Sequence, residues 1–184
     1  KRIFAALEKL GKIHLNLHNV CNIIGSDGKF TTGFNLASFL KASQQKVTFF
    51  SSPHLVSVCE RIMLTNRFIT LDEIKKYEKI IYKTKSKLTL FEALTMIYLM
   101  AADNQKNSSY NLVEAGAGFA KDSSHLWDFP KAQIITNINL QHLDLFKVKT
   151  LAEVIKIKVG HLSKNTTIYI GKQKPKVLKI IKKI

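Results

Sequence analysis

The sequence is short of arginine, cysteine and acidic residues, and it has no long hydrophobic run. Of its 29 basic residues 26 are lysine and three are arginine (Arg2, Arg61, Arg67), against 13 acids, for a net charge of +16. Such a charge attracts polyanions, but arginine supplies the planar fork that grips guanine and phosphate in paired bonds. A chain nearly free of it lacks the usual tool of a sequence-specific nucleic-acid reader. Lysine, isoleucine and asparagine share A/T-rich codons, so drift in base composition accounts for the basic pI without a polyanionic partner. Cys21 and Cys59 have no CxxC spacing and cannot build a disulfide framework, which excludes zinc-ribbon and dithiol redox readings. A reducing cytoplasm is the expected location. The longest apolar stretch, Leu90 to Ala102, is 13 residues long and contains Glu92, short of the ~20 needed to span a bilayer. No signal peptide is visible, and Lys1 in first place is expected to lie inside a longer reading frame.

What is present is a core-forming composition. The 184 residues, 46% apolar, suit one domain or a fragment of something larger, not a disordered chain. Short apolar runs alternate with segments of helical period, the pattern of an α/β domain with a mainly parallel sheet. Strands are expected at Asn19 to Ile24, Lys46 to Phe50, Leu112 to Ala115, Gln133 to Asn137 and Thr167 to Ile170. Helices are expected at Thr32 to Ser43, Thr89 to Ala102 and Thr150 to Gly160. A capping box, Thr70 with Glu73, opens a further helix reaching about Tyr82. The tail from Lys147 to Ile184 carries 11 lysines and one acid, Glu153. Within it Val177, Ile180, Ile181 and Ile184 fall on one helical stripe, with Lys174, Lys179, Lys182 and Lys183 facing away. That stripe reads as a helix covering a sheet face, with a membrane-surface helix as the alternative.

Between the first strand and the first long helix lies Gly25-Ser26-Asp27-Gly28-Lys29-Phe30-Thr31-Thr32. Backbone N–H groups and a helix N-terminus form an anion site at that position. Lys29 would meet the β- and γ-phosphates of a nucleotide and the Thr31 hydroxyl would ligate Mg²⁺. The spacing departs from G-x-x-x-x-G-K-S/T, because Ile23 stands at the first glycine, and a turn with a solvated lysine is the plainer alternative.

Further segments resemble folylpolyglutamate synthase/dihydrofolate synthase, of the Mur ligase superfamily, in order and spacing over nearly the whole chain. Gly25 to Thr31 resembles the family's G-T-N-G-K-G-S/T. Ser51-Ser52-Pro53-His54-Leu55 resembles S/T-S-P-H-L, and Glu60-Arg61-Ile62 the E-R-I after it. Thr89-Leu90-Phe91-Glu92 resembles T-x-F-E, and Val113 to Gly118 resembles E-V-G-L-G-G. Ile135 to His142 resembles I-T-N-I-G-L-D-H, and Lys158-Val159-Gly160 stands where the family has E-K-A-G.

The resemblance implies a P-loop-like three-layer domain, a truncated Mur-ligase central domain spanning residues 1–184 without the C-terminal ligase domain. It implies ATP and Mg²⁺ as cofactors, with folate or dihydropteroate and L-glutamate as substrates. Gly25, Ser26, Asp27, Gly28, Lys29, Thr31 and Thr32 would hold the nucleotide. Thr31, Glu114 and His142 would hold the metal, an incomplete donor set suited to an ion that keeps its waters. Lys29, His142 and Lys158 would be catalytic, Lys158 matching a lysine that the family often carbamylates. Thr89, Phe91 and Asp122 would form a pterin pocket, and His54 would contact substrate. Each has a plainer alternative: a strand end for Glu114, a loop histidine for His142, helix core for Phe91, a proline turn for His54.

The departures fall inside these motifs. Asp27 stands for asparagine, Phe30 for a loop glycine, Asn139 for glycine, Gln141 for the acid before His142 and Ile157 for the acid before Lys158; Phe119-Ala120 replaces G-R. Phe30 is expected to obstruct the phosphate cradle, and the Val177 to Ile184 stripe to lack a partner. An inactive remnant, half of a split enzyme completed by a second polypeptide, and a chain shortened by design all remain open. Nucleic-acid and membrane partners rank last.

Overall fold

The buried apolar runs lie side by side in a single sheet. The computed structural model describes residues 2–106 and 108–184. Its strands are β1 (Val20–Ile24), β2 (Val47–Phe50), β3 (Ile62–Met63), β4 (Tyr110–Glu114), β5 (Ala132–Ile135) and β6 (Thr167–Ile170). They are ordered β3-β2-β4-β1-β5-β6, and every pairing is parallel except β2 with β3. Cys21 sits opposite Leu112 on one side and Ala132 on the other. Connections from β1 first run toward β2 and later toward β5, so the carboxyl end of β1 is the switch point where open α/β sheets bind ligands.

The helices are α1 (Arg2–Lys9), α2 (Lys29–Ala42), α3 (Leu71–Lys83), α4 (Leu90–Asp103), α5 (Leu143–Phe146), α6 (Leu151–Val159) and α7 (Pro175–Ile181). Three of them start at Thr-x-x-Glu capping boxes in which each partner satisfies the other's free N–H: Thr70/Glu73, Thr89/Glu92 and Thr150/Glu153. Every residue of α4 from Leu94 to Ala102 is buried, because α1 and α3 flank it over the β2–β4 half of the sheet. Alternate residues of β1 face opposite layers: Cys21 and Ile23 pack under α2, whereas Ile24 packs with α6 and α7.

Expected strands and helices are all found, with β6 at the expected residues and the other ends within three residues of expectation; Asn19, Ala115, Asn137 and Gly160 are among the residues that fall outside them. One expectation is corrected. Val177 and Ile181 are buried at 1% and 7% exposure against Phe119, Ile155 and Val159, so the basic tail has a partner in α6 and the sheet; Ile184 alone of that stripe is exposed. All four residues of β6 are exposed, which leaves the β5–β6 margin of the sheet open on the α2 side.

Candidate active site

The loop after β1 is shaped by close backbone approach. Gly25 has φ 155°, and a Cβ there would lie 2.0 Å from Thr136 Oγ1, so only glycine lets the two segments meet. The loop is stitched to the segment after β5. Ser26 N–H and Asp27 N–H both donate to the Asn137 carbonyl, at 2.8 and 3.3 Å, and Ser26 Oγ accepts from the Asn139 N–H at 3.1 Å. Gly28, at φ 77°, opens α2 without a side-chain cap, leaving the first-turn N–H groups of Lys29, Phe30 and Thr31 for an external acceptor. Thr32 N–H closes the first turn on the Gly28 carbonyl at 2.9 Å; Thr31 is exposed on that turn.

Lys29 folds back over this loop, its Nζ donating to the Ser26 carbonyl at 3.3 Å and standing 4.0 Å from Glu114 Oε1. Glu114 ends β4 at 2% exposure. Burial pushes its carboxyl up to about 7, against the pull of Lys29 and of the Ser52 N–H that donates to it at 3.3 Å. Lys158, on α6, lies beneath the loop at 1% exposure. Its Nζ donates to the Gly25 carbonyl at 3.0 Å and the Ala117 carbonyl at 2.6 Å. Burial first, then the Lys29 charge, brings its amine down to about 8. His142 opens α5 at φ 60°, exposed, with its ring edge-on to Phe146 at 5.8 Å. Desolvation and the ammonium groups of Lys158 and Lys29 lower its pKa.

These four side chains therefore share one electrostatic neighbourhood at the carboxyl ends of β1, β4 and β5. Glu114 provides the test for a cation. Burial of this carboxylate outweighs the pull of Lys29, the Ser52 N–H and Arg61, and a divalent ion would complete its neutralisation. Among the described residues no group of three or more His, Cys, Asp or Glu side chains is arranged to hold a metal. An ion beside Glu114 would take most of its ligands from hydroxyl, water and phosphate, as Mg²⁺ does.

Phe30 departs from expectation. Its ring stacks on Phe34 (centroids 5.7 Å apart, planes at 18°) and leans on Phe49 at 6.1 Å, while a Cβ at Gly28 would meet no atom within 4 Å. The ring lines an apolar cavity of about 280 Å³ with Phe68, Leu55 and Pro53, packed against Phe34 and Phe49. His54 is exposed, its Nδ1 accepting from Arg61 Nε at 2.9 Å; Glu60 braces the same loop by accepting from three consecutive N–H groups, Leu55, Val56 and Ser57. Phe91 and Asp122 converge on Gly116, where an added Cβ would lie 2.7 Å from Asp122 Oδ2 and 3.3 Å from Phe91 Cε1. The Thr89 hydroxyl is occupied by its own capping box. What sequence reasoning missed is the contact of Asp27 with Asn139 and Gln141; these pairs are more than a hundred residues apart, and periodicity carries no signal at that range.

No protein-family model matches the chain. Individual proteins do. It is 27% identical over 186 residues to a probable folylpolyglutamate synthase of Schizosaccharomyces pombe, covering 91% of this chain and 36% of that protein. It is 30% identical over 192 residues to the dihydrofolate synthetase of Saccharomyces cerevisiae, covering 98% of this chain and 44% of that one. The chain thus spans less than half the length of these curated relatives. Among solved structures, E. coli FolC in complex with DHPP and ADP superposes with a TM-score of 0.88 at 25% identity, covering 100% of this chain and 43% of that one. Mycobacterium tuberculosis folylpolyglutamate synthase complexed with ADP gives 0.87 at 23%, covering 99% and 43%, a likeness of fold.

Proposed function

We propose that this homologue of the N-terminal part of folylpolyglutamate and dihydrofolate synthases is the nucleotide-binding portion of an ATP-dependent ligase that joins glutamate to a folate or dihydropteroate carboxylate. The observation that carries the reading is the Gly25–Lys29 loop at the sheet's switch point, with Lys29 poised between the Ser26 carbonyl and Glu114. In that reading the first-turn N–H groups of α2 and the Lys29 ammonium hold the β- and γ-phosphates, supplying charge stabilisation as phosphoryl transfer requires. A substrate carboxylate oxygen attacks the γ-phosphorus, the bond to the bridging oxygen breaks, and ADP leaves. The amine of glutamate then attacks the acyl phosphate, inorganic phosphate departs, and the nitrogen loses a proton. Thr31, Glu114 and His142 would hold Mg²⁺, whose chemistry is to neutralise charge on the phosphate oxygens. Lys158 supports the loop from below through Gly25 and Ala117. Phe91 and Asp122, brought together at Gly116, would receive the pterin, Phe91 as a stacking surface. His54 would contact substrate from its exposed loop.

Contacts to adenine and to glutamate belong, in this reading, to parts of the ligase outside the matched stretch, whether in the same polypeptide or a second one. The cytoplasm is the proposed compartment; no helix among the described residues is long and apolar enough to cross a membrane.

The test is calorimetric titration of the chain with AMPPCP, with and without Mg²⁺. Binding that strengthens with Mg²⁺ and weakens at least about tenfold in Lys29→Ala, the scale of losing a hydrogen bond to a charged group, is the expected result. Affinity untouched by that substitution would overturn the assignment of the loop.

A further inference from the structure

Three of the departures from the family's motifs meet at Asp27. Where the resemblance has asparagine, glycine and an acid, this chain has Asp27, Asn139 and Gln141. The Asp27 carboxylate accepts from Asn139 Nδ2 on one oxygen and from Gln141 Nε2, at 2.9 Å, on the other. Acid and amide have changed places between positions 27 and 141, and the side chain gained at 139 points a donor at the relocated acid. Independent loss at three positions gives no reason for donors to face acceptors in this way.

We propose that Asp27, Asn139 and Gln141 form a carboxylate–amide clasp that positions His142 against the phosphate loop, so that the altered motifs are a coordinated exchange and not decay. The clasp adds side-chain bonds to the backbone stitching of Ser26 and Asp27 on Asn137. It acts on the residue immediately before His142, which stands in the left-handed conformation at φ 60°. Asp27 and Gln141 are positioning residues here. Their effect on nucleotide rests on the ligase reading, whereas their pairing does not.

The test is a double-mutant cycle on the 184-residue chain: Asp27→Asn, Gln141→Asp, and both together. Gln141→Asp sets two carboxylates against each other and lowers the unfolding midpoint by about 3 °C, the size of shift expected at this chain length. The double variant, with the family's arrangement at these two positions, returns to within about 1 °C of wild type, the non-additivity of contacting residues. A loss in Gln141→Asp that persists in full in the double variant, or no loss at all, overturns the clasp. AMPPCP affinity is read in parallel. In Gln141→Asp the Mg²⁺-dependent part falls by about tenfold or more, as for partners that orient ligands, and the double variant recovers it. An equal loss with and without Mg²⁺ overturns the positioning role and leaves only a brace. Absence of nucleotide binding in every protein, wild type included, counts against the ligase reading and the positioning role, while the thermal cycle still decides the pairing.

Discussion

Gly33 shows how little room the site's supporting helix has. A Cβ there would lie 2.4 Å from Phe49 Cζ and 2.7 Å from Ile23 Cδ1, both in the core beneath α2. Gly33→Ala is expected to cost about 1–3 kcal/mol by overpacking, seen as a lower urea midpoint with an unchanged slope. Phe30→Ala separates the two functions of its segment. With the ring stacked on Phe34 and Phe49, the variant should lose stability while AMPPCP affinity stays within about twofold of wild type. A tenfold gain in affinity would restore the obstruction argument.

At the scale of elements, α3 offers a clean titration. Arg67 grips both oxygens of Glu73 at 2.6 and 2.7 Å, and that hydrogen bonding, before all other causes, brings the carboxyl down to about 2. A depressed carboxyl stabilises fully above its unfolded pKa near 4.5 and loses that stability as pH falls through the folded value. Glu73→Gln keeps a capping-box side chain but removes the charge. Wild type and variant should therefore differ by about 1 kcal/mol at pH 7, after discounting for the group's partial exposure, and converge at pH 2 in denaturant titrations. The capping box of α3 was legible because its partners are three residues apart and need no tertiary context. The inner strands β1 and β2 were legible because parallel strands buried on both faces read as continuous apolar runs, and β6 because its β-branched and aromatic residues favour a strand even where exposed. α1 was not: Ile3, Ala6 and Leu7 make its buried face, and eight residues barely establish a period. β3 has two residues, too few to show a pattern, and is held by β2 on one side and by a bridge from Met63 to Phe68 on the other. In the site, the Gly25–Lys29 loop was read from local order, whereas the fates of Phe30 and Asp27 depend on Phe49 and Gln141, which only the folded chain brings near.

Across the whole molecule, stability is unevenly distributed. β1 lies between two strands at the sheet's centre, while β6 bonds only to β5 and exposes every side chain. Native-state hydrogen exchange should find the β6 amides exchanging at least about tenfold faster than those of β1; equal protection would show that the open margin is covered in solution. The stitched loop after β1 also has a history in time. Ser26 meets Asn139 across 113 residues and Asp27 meets Gln141 across 114, so closing the loop brings together segments far apart in the sequence, and such contacts are slow to form. At a synthesis rate of about 5–20 residues per second, Lys29 leaves the ribosome roughly 6–22 s before the residues that finish its cradle. If the ligase reading holds, a nucleotide does not template the early folding of this chain; it locks a loop that the second half of the polypeptide has already closed.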